Sequence, residues 1–163
     1  MTEHWAAAWS ASAQGPYPYG RETAQPDLST LFSEPEYSAT NQSFRMIIRP
    51  DIWGRQLRIR LSNAHGSKPI TFNEIYVGMQ SMSSAILPGT NRQLQFGNSE
   101  TVTIEAGQWS VSDPVTLDFI TNPNDPLLTG RTIAVSFHVS GNTGPMTYHA
   151  KALQTSYLSE PNA

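Results

Sequence analysis

The sequence contains no cysteine, which excludes a disulfide scaffold, a cysteine-based zinc site and a thiolate nucleophile. Charged residues are scarce, at 14% of the chain against about 25% in typical soluble domains. The net charge of -3, with scattered Lys and Arg, excludes the basic surface expected of a nucleic-acid-binding protein. Long apolar runs are also lacking, so no membrane span is expected. The 12 prolines and 11 glycines favour short strands joined by many turns.

Alternating apolar and polar residues predict an all-β fold. Leu57–Leu61 places Arg58 and Arg60 on the face opposite its apolar residues, and Arg131–Val139 repeats the alternation. Further strands are expected at 44–49, 70–78, 93–96, 101–104, 109–111, 115–119 and 146–158. No segment has the spacing of an amphipathic helix. We therefore predict an antiparallel β-sandwich or jelly roll.

The chain divides into two regions by composition. Residues 1–41 hold several prolines with many Ser and Thr, and no periodicity survives there. We predict an irregular N-terminal arm over residues 1–41 that packs on the sandwich, and a single β-sandwich domain over residues 42–163. The start carries Glu3 and no cationic region, so no signal peptide is expected. Location is then cytoplasmic by default, or secreted if a leader has been removed.

Several segments together carry a family resemblance. They are Gly141–Tyr157, Ser43–Arg49, Leu57–Asn63, Ile86–Asn91 and the Trp-rich Trp5–Ser12. This set resembles the N-terminal β domain of a family of SGNH/GDSL-type hydrolases, in which the β domain precedes a separate α/β catalytic domain. The resemblance implies an accessory role, in which this domain packs on a C-terminal hydrolase domain that cleaves acyl esters and shapes its substrate cleft.

The catalytic residues of that family are not found in this chain. A serine hydrolase needs a nucleophile, an imidazole base, an orienting carboxylate and an oxyanion hole. The family supplies them from a Gly-Asp-Ser block and a distant Asp-X-X-His, and the chain contains neither. It also has no Gly-X-Ser-X-Gly elbow. We therefore expect no catalytic residue here and no catalysis by this chain alone.

Cofactor and metal sites are not indicated either. His4, His65, His138 and His149 have no neighbouring ligand at the spacing of a local metal site. We expect neither a metal nor a cofactor.

Six residues are candidates for a domain interface or a ligand site: Trp5, Trp9, Tyr148, His149, Gln154 and Tyr157. Trp5 and Trp9 are four residues apart, which suits packing on a sheet or on a partner domain, or stacking on a sugar. His149 suits a structural hydrogen bond, or a polar contact with a hydrolase domain or a ligand. Gln154 and Tyr157 suit a final strand with the ring in the core, or a contact that fixes two domains together.

A different class of function remains open from the sequence. Exposed Trp and Tyr rings with polar neighbours would suit a freestanding carbohydrate-binding, lectin-like module. Trp53, Trp109, Tyr17, Tyr19 and Tyr76 supply further aromatic material. Arg58 and Arg60 suit a solvated sheet face or recognition of an anion. A complete esterase of unfamiliar design is the third alternative.

Overall fold

The computed structural model describes residues 4–16, 27–29, 31–32, 37–149 and 152–162. Tyr17, Tyr19 and part of the predicted strand 146–158 lie outside these ranges. Within them the fold is all-β and antiparallel, with one short 3-10 helix at Pro126–Leu128. The strands are β1 Ser38–Ile48, β2 Gln56–Leu57, β3 Arg60–Ser62, β4 Ile70–Met79, β5 Arg92–Gln93, β6 Val102–Ile104, β7 Trp109–Val111, β8 Val115–Thr116, β9 Ile133–Pro145 and β10 Tyr157–Leu158.

The largest layer is a six-stranded sheet in the order β10-β1-β9-β4-β5, with β6 also paired to β4. The long strands β1, β9 and β4 form its centre, and every pairing is antiparallel. The second layer is built from two short ladders, β2 with β8 and β3 with β7. This all-β sandwich is the predicted fold class.

The core lies between the two layers. Ile75, Leu94 and Ile120 are completely or almost completely buried at its centre. Leu61 and Leu117 contribute to the core from the second layer. The rings of Phe32, Phe44 and Phe137 stack in sequence at centroid distances of 6.3 and 5.4 Å, and Phe72 meets Phe137 edge-to-face at 5.4 Å.

The predicted alternation over Leu57–Leu61 and Arg131–Val139 is confirmed, but the first segment is not one strand, because β2 ends at Leu57 and β3 begins at Arg60. Leu57 and Ile59 pack on the core, while Arg58 and Arg60 are exposed. In β9 the odd-numbered residues from Ile133 to Val139 pack in the core, as expected. The even-numbered residues of β9 point to the opposite face of the sheet and were expected to be exposed. Ala134 is one of them, and it is completely buried.

Strand β1 begins at Ser38, within the segment predicted to be irregular. Its first half follows β9 through two register shifts, and its buried residues there include Ser38 and Gln42. The Gln42 amide donates to the Ser159 carbonyl at 3.1 Å, and Thr143 of β9 accepts from the Ala39 amide at 3.0 Å. These hydrogen bonds allow polar side chains to be buried, and because the segment shows no alternation of apolar residues, the sequence did not predict a strand there.

Strand β10 is shorter than the predicted strand 146–158. Only Tyr157–Leu158 pairs with β1, and Tyr148 forms an isolated bridge with Gln14. Strand β4 also departs from regular geometry, because its register with β9 shifts between Asn73 and Tyr76. Glu74 lies within this irregularity at φ 50°, in the left-handed region that non-glycine residues rarely adopt.

Candidate functional site

The N-terminal arm, residues 4–16, lies against the second layer and the segment around Tyr148. The Asp51 amide donates to the Ala8 carbonyl at 2.8 Å, and the Gln14 amide donates to the Tyr148 carbonyl at 2.9 Å. His149 Nδ1 donates to the Ser12 carbonyl oxygen at 2.9 Å. The arm therefore has at least three hydrogen-bonded anchor points, two of them at Tyr148 and His149.

The arm presents two tryptophans at the surface. Trp5 is 43% exposed and Trp9 is 50% exposed, so neither ring belongs to the core. The Arg58 guanidinium lies 4.5 Å from the centre of the Trp5 ring, within range of a cation-π interaction. Folding of this chain thus leaves two large apolar side chains on its surface, held there by the anchored arm.

A second arginine and tryptophan pair extends this surface. The Arg60 guanidinium lies 4.9 Å from the centre of the Trp109 ring, and Trp109 is 56% exposed. Arg58 and Arg60 are both exposed and flank Ile59, which packs on the core, so the two pairs lie on the outer side of the second layer. We call Trp5, Arg58, Arg60 and Trp109 the Trp-Arg face.

Gln154 lies in a segment where little is buried. Its side chain is half-buried, and its neighbour Leu153 is 94% exposed. Trp5, Trp9, Tyr148 and His149 are linked through the arm, whereas Gln154 lies in the segment that precedes β10.

Tyr157 lies elsewhere on the molecule. It is paired with Arg45 in β1, and its neighbour Leu158 packs on the core. Since alternate strand residues point to opposite faces, the Tyr157 ring lies on the outer face of the six-stranded sheet. The expectation that this ring packs in the core is not met, because Leu158 occupies the inward position.

The outer face of the large sheet contains a trough of about 380 Å³. β10 and Ser159 border it on one side, and the loop at Ser84 borders it on another. The residues that define this sheet-face trough are Ser43, Arg45, Glu74, Tyr76, His138 and Tyr157. Sequence reasoning named Tyr157 as an interface candidate and Tyr76 as aromatic material for sugar binding, but it did not bring the six together, because their proximity depends on strand pairing.

Two cross-strand pairs form part of the trough. Ser43 Oγ and His138 Nδ1 are 3.1 Å apart, on directly paired residues of β1 and β9. On the next outward pair, Arg45 Nε donates to Ser136 Oγ at 2.8 Å. The Arg45 guanidinium also donates to the Ser84 carbonyl, which ties the loop to the sheet. Arg45 therefore has two of its donors, Nε and one terminal nitrogen of the guanidinium, hydrogen-bonded within the protein.

The Ser43 and His138 pair satisfies one requirement of serine catalysis. In the part of the chain that the structure describes, no carboxylate is hydrogen-bonded to His138, so the group that orients the imidazole in a catalytic triad is missing there. Glu74 borders the same trough without a hydrogen bond to the ring. The arrangement is a polar pair in a ligand-sized trough, and it lacks the third member of a triad.

Two acidic residues with shifted pKa values, Asp118 and Asp27, lie outside the Trp-Arg face and the trough. The Arg92 guanidinium, which donates to Asp118 Oδ1, holds the pKa of Asp118 below its ordinary value of 3.8. Hydrogen bonds from Ser29 lower the pKa of Asp27 in the same way. Among the described residues no group of three or more His, Asp or Glu side chains could hold a metal ion.

Comparisons with known proteins add no family assignment. The chain matches no known protein family, and no curated protein matches it. Over the ranges that the structure covers, no helix is long and apolar enough to cross a membrane.

Proposed function

We propose that this chain is a non-catalytic β-sandwich domain that packs against an SGNH/GDSL-type hydrolase domain and shapes the entrance to its ester-binding cleft. The observation that carries the proposal is the exposure of Trp5 and Trp9 on an arm that is itself hydrogen-bonded to the sandwich. Large aromatic side chains on an ordered surface are the typical anchors of protein interfaces.

The segment that contributes most to the family resemblance supports the same surface. Tyr148 and His149, both within Gly141–Tyr157, hold the arm through the Gln14 amide and the Ser12 carbonyl. We assign them the role of positioning the arm for the partner. Leu153 and Gln154 lie in the same segment, and the 94% exposure of Leu153 makes it a further contact candidate.

The test begins with the reading frame around the 163 codons. Where a Gly-Asp-Ser block is encoded in the same frame, its catalytic domain is produced separately and its binding to this chain is measured by calorimetry. We expect binding that weakens at least about tenfold in the Trp5→Ala, Trp9→Ala double variant, since interface tryptophans are frequent hot spots.

Leu127→Ala is the control, because Leu127 is also a large exposed apolar side chain but lies on the 3-10 helix rather than on the arm or the Trp-Arg face. Its binding should stay at the wild-type value. A frame without a catalytic block, or a catalytic domain that does not bind, contradicts the accessory role. If the control and the double variant lose the same amount of binding affinity, the interface does not lie on the arm.

A carbohydrate-binding module is the second candidate function, and the Trp-Arg face favours it. Trp109 is the most exposed tryptophan in the described residues and lies beside Arg60, so an aromatic face and hydrogen-bond donors are adjacent. Affinity electrophoresis in gels containing soluble polysaccharides separates the two functions. Retardation that Trp109→Ala abolishes supports the module, while unretarded migration in every gel removes it.

A further inference from the structure

We propose that the sheet-face trough is a binding site for one neutral, polyhydroxylated ring, such as a single unit of a carbohydrate. This inference is independent of the accessory role and concerns a different surface from the Trp-Arg face. It rests on the shape of the trough, on the polar groups left unused around it and on a strained residue at its edge.

The trough has the size of a ligand site on a face that is normally flat. Its volume of about 380 Å³ falls within the range of small-molecule sites, roughly 300 to 1,000 Å³. Its borders are held in place, because Arg45 ties the Ser84 loop to the sheet and pairing of β10 with β1 places Tyr157 beside the trough. These borders are fixed by hydrogen bonds and strand pairing, so the site is already formed without a ligand.

Several polar groups around the trough have no hydrogen-bond partner among the described residues. The Glu74 carboxylate and the hydroxyls of Tyr76 and Tyr157 form no hydrogen bond with any residue in the described ranges, and neither does His138 Nε2. Together they provide both donors and acceptors around one space. A ring with several hydroxyl groups matches such a mixed set, because each hydroxyl both donates and accepts.

The charges in the trough select against the main alternatives. Glu74 and Arg45 carry opposite charges and border the same trough, and the Arg45 guanidinium already donates to Ser136 and to the Ser84 carbonyl. An anion therefore finds an opposing carboxylate and an arginine already in use. A lipid chain would leave Glu74 and His138 without solvent or partners. The two tyrosine rings suit the C–H faces of a sugar.

The backbone at Glu74 is the independent sign of a functional position. A glutamate at φ 50° pays a conformational cost that glycine would avoid, and it occurs at a register irregularity of β4. Strained residues and bulges are concentrated at functional sites because they aim a side chain that regular geometry would direct elsewhere. Two non-glycine residues of this sheet have positive φ at a register shift, Asn41 in β1 and Glu74 in β4. Asparagine tolerates this region, whereas the glutamate does so at a cost, and it is the glutamate that borders the trough.

The test is an NMR titration of the isotope-labelled chain with glucose, galactose, xylose and arabinose, each to about 100 mM, since ligands of this size bind at millimolar affinity. We expect at least one sugar to shift amide signals of Ser43, Glu74 and His138. Glu74→Gln should weaken that binding by about tenfold or more, because a hydrogen bond to a charged acceptor is lost. Tyr157→Phe, which removes one hydroxyl, should weaken it less.

Glu105→Gln is the matched control, since Glu105 is an exposed glutamate outside the trough, and its affinity should equal that of the wild type. Retained signal dispersion shows that each variant is folded. Sodium acetate serves as the anion probe. The proposal is overturned if no sugar shifts these signals, if only acetate does, if the shifts occur at Trp109 instead, or if Glu74→Gln binds like the control.

Discussion

Ser43 and His138 form a hydrogen-bonded pair across β1 and β9, with 3.1 Å between Oγ and Nδ1. The pair has the components of a nucleophile and a base, and it borders a trough that can admit a small molecule. What distinguishes it from a catalytic constellation is the second ring nitrogen, which no carboxylate engages within the described part of the chain. An unoriented imidazole is a poor general base.

The first prediction is that this pair does not hydrolyse esters. With p-nitrophenyl acetate, the purified chain should show a rate that rises linearly with substrate, as expected of exposed histidines. Ser43→Ala should leave that rate unchanged, because the hydroxyl is not the nucleophile. Stopped-flow absorbance provides the measurement. Saturation kinetics with a burst, abolished by Ser43→Ala, would establish an esterase and contradict the non-catalytic assignment.

The second prediction concerns Gly66, where there is no room for a methyl group. A Cβ at this position would lie 1.8 Å from Asn63 Oδ1, and Asn63 is completely buried. Its amide donates to the carbonyls of Lys68 and Ile104, both at 2.9 Å. Gly66→Ala should displace this side chain and leave two acceptors unpaired, lowering the free energy of unfolding by about 2 to 4 kcal/mol.

Thermal unfolding followed by circular dichroism checks this value, with a Tm lower by roughly 5 to 15 °C. Gly97→Ala is the control. Gly97 has φ 60° but no atom within 4 Å of the added methyl group, so only the backbone cost of about 1 to 2 kcal/mol applies. A Gly66→Ala variant no less stable than Gly97→Ala would show that Asn63 can move without loss.

The sequence predicted which face residues occupy, and it did not predict which strands meet. Alternation placed Leu57 and Ile59 in the core, because that pattern is local and has a period of two. The Ser43 and His138 pair joins residues 95 positions apart, and its register is set by the assembled sheet. Nothing in the order of residues indicates that register.

Buried polar residues account for the missed part of β1. Ser38 and Gln42 carry no apolar signal, and their burial depends on partners that only the folded chain supplies, such as the Ser159 carbonyl. The spacing of Trp5 and Trp9 did not predict that both rings are exposed, because the same spacing is also compatible with rings packed against the sheet. Their surface position follows from the hydrogen bonds that hold the arm.

The third prediction is a pH dependence due to Asp118. Its pKa is held below 3.8 by Arg92, so the folded state favours the ionised carboxylate. This stabilisation is present above the unfolded pKa of 3.8 and is lost as the pH falls through the lower folded value. Asp118→Asn should therefore lower the urea midpoint slightly at pH 7, and the difference from wild type should disappear at the most acidic pH.

The ion pair is at the surface, so the difference should also shrink at high salt. Asp51→Asn removes the same charge from a residue whose side chain has no arginine partner in the described structure, and it controls for net charge. A gap between wild type and Asp118→Asn that grows toward acidic pH has the opposite sign and would contradict the assignment.

The fourth prediction is that His149 holds the arm. Removing the bond from Nδ1 to the Ser12 carbonyl in His149→Ala should increase the population with a released arm by about 2- to 10-fold, given about 0.5 to 1.5 kcal/mol for one hydrogen bond. Limited chymotrypsin digestion, read by mass spectrometry as cleavage after Trp9, reports that population.

His65→Ala is the matched control, since His65 is an exposed histidine whose imidazole makes no described contact with the arm. Its cleavage rate should equal that of the wild type. Identical digestion of all three proteins would mean that the backbone bonds at Ala8 and Gln14 hold the arm without help from His149.

The last prediction separates stability from binding at Glu74. Glycine adopts φ 50° without the steric cost that a Cβ incurs, so Glu74→Gly should raise the free energy of unfolding by roughly 0.5 to 1 kcal/mol. The same change removes the carboxylate proposed to bind a sugar hydroxyl, so the sugar-dependent NMR shifts should be lost. Asn98→Gly, at φ 65°, is the control and should gain less, because asparagine tolerates this region. A Glu74→Gly variant less stable than the wild type would show that the Glu74 side chain stabilises the fold. The positive φ at this position would then no longer support a ligand site.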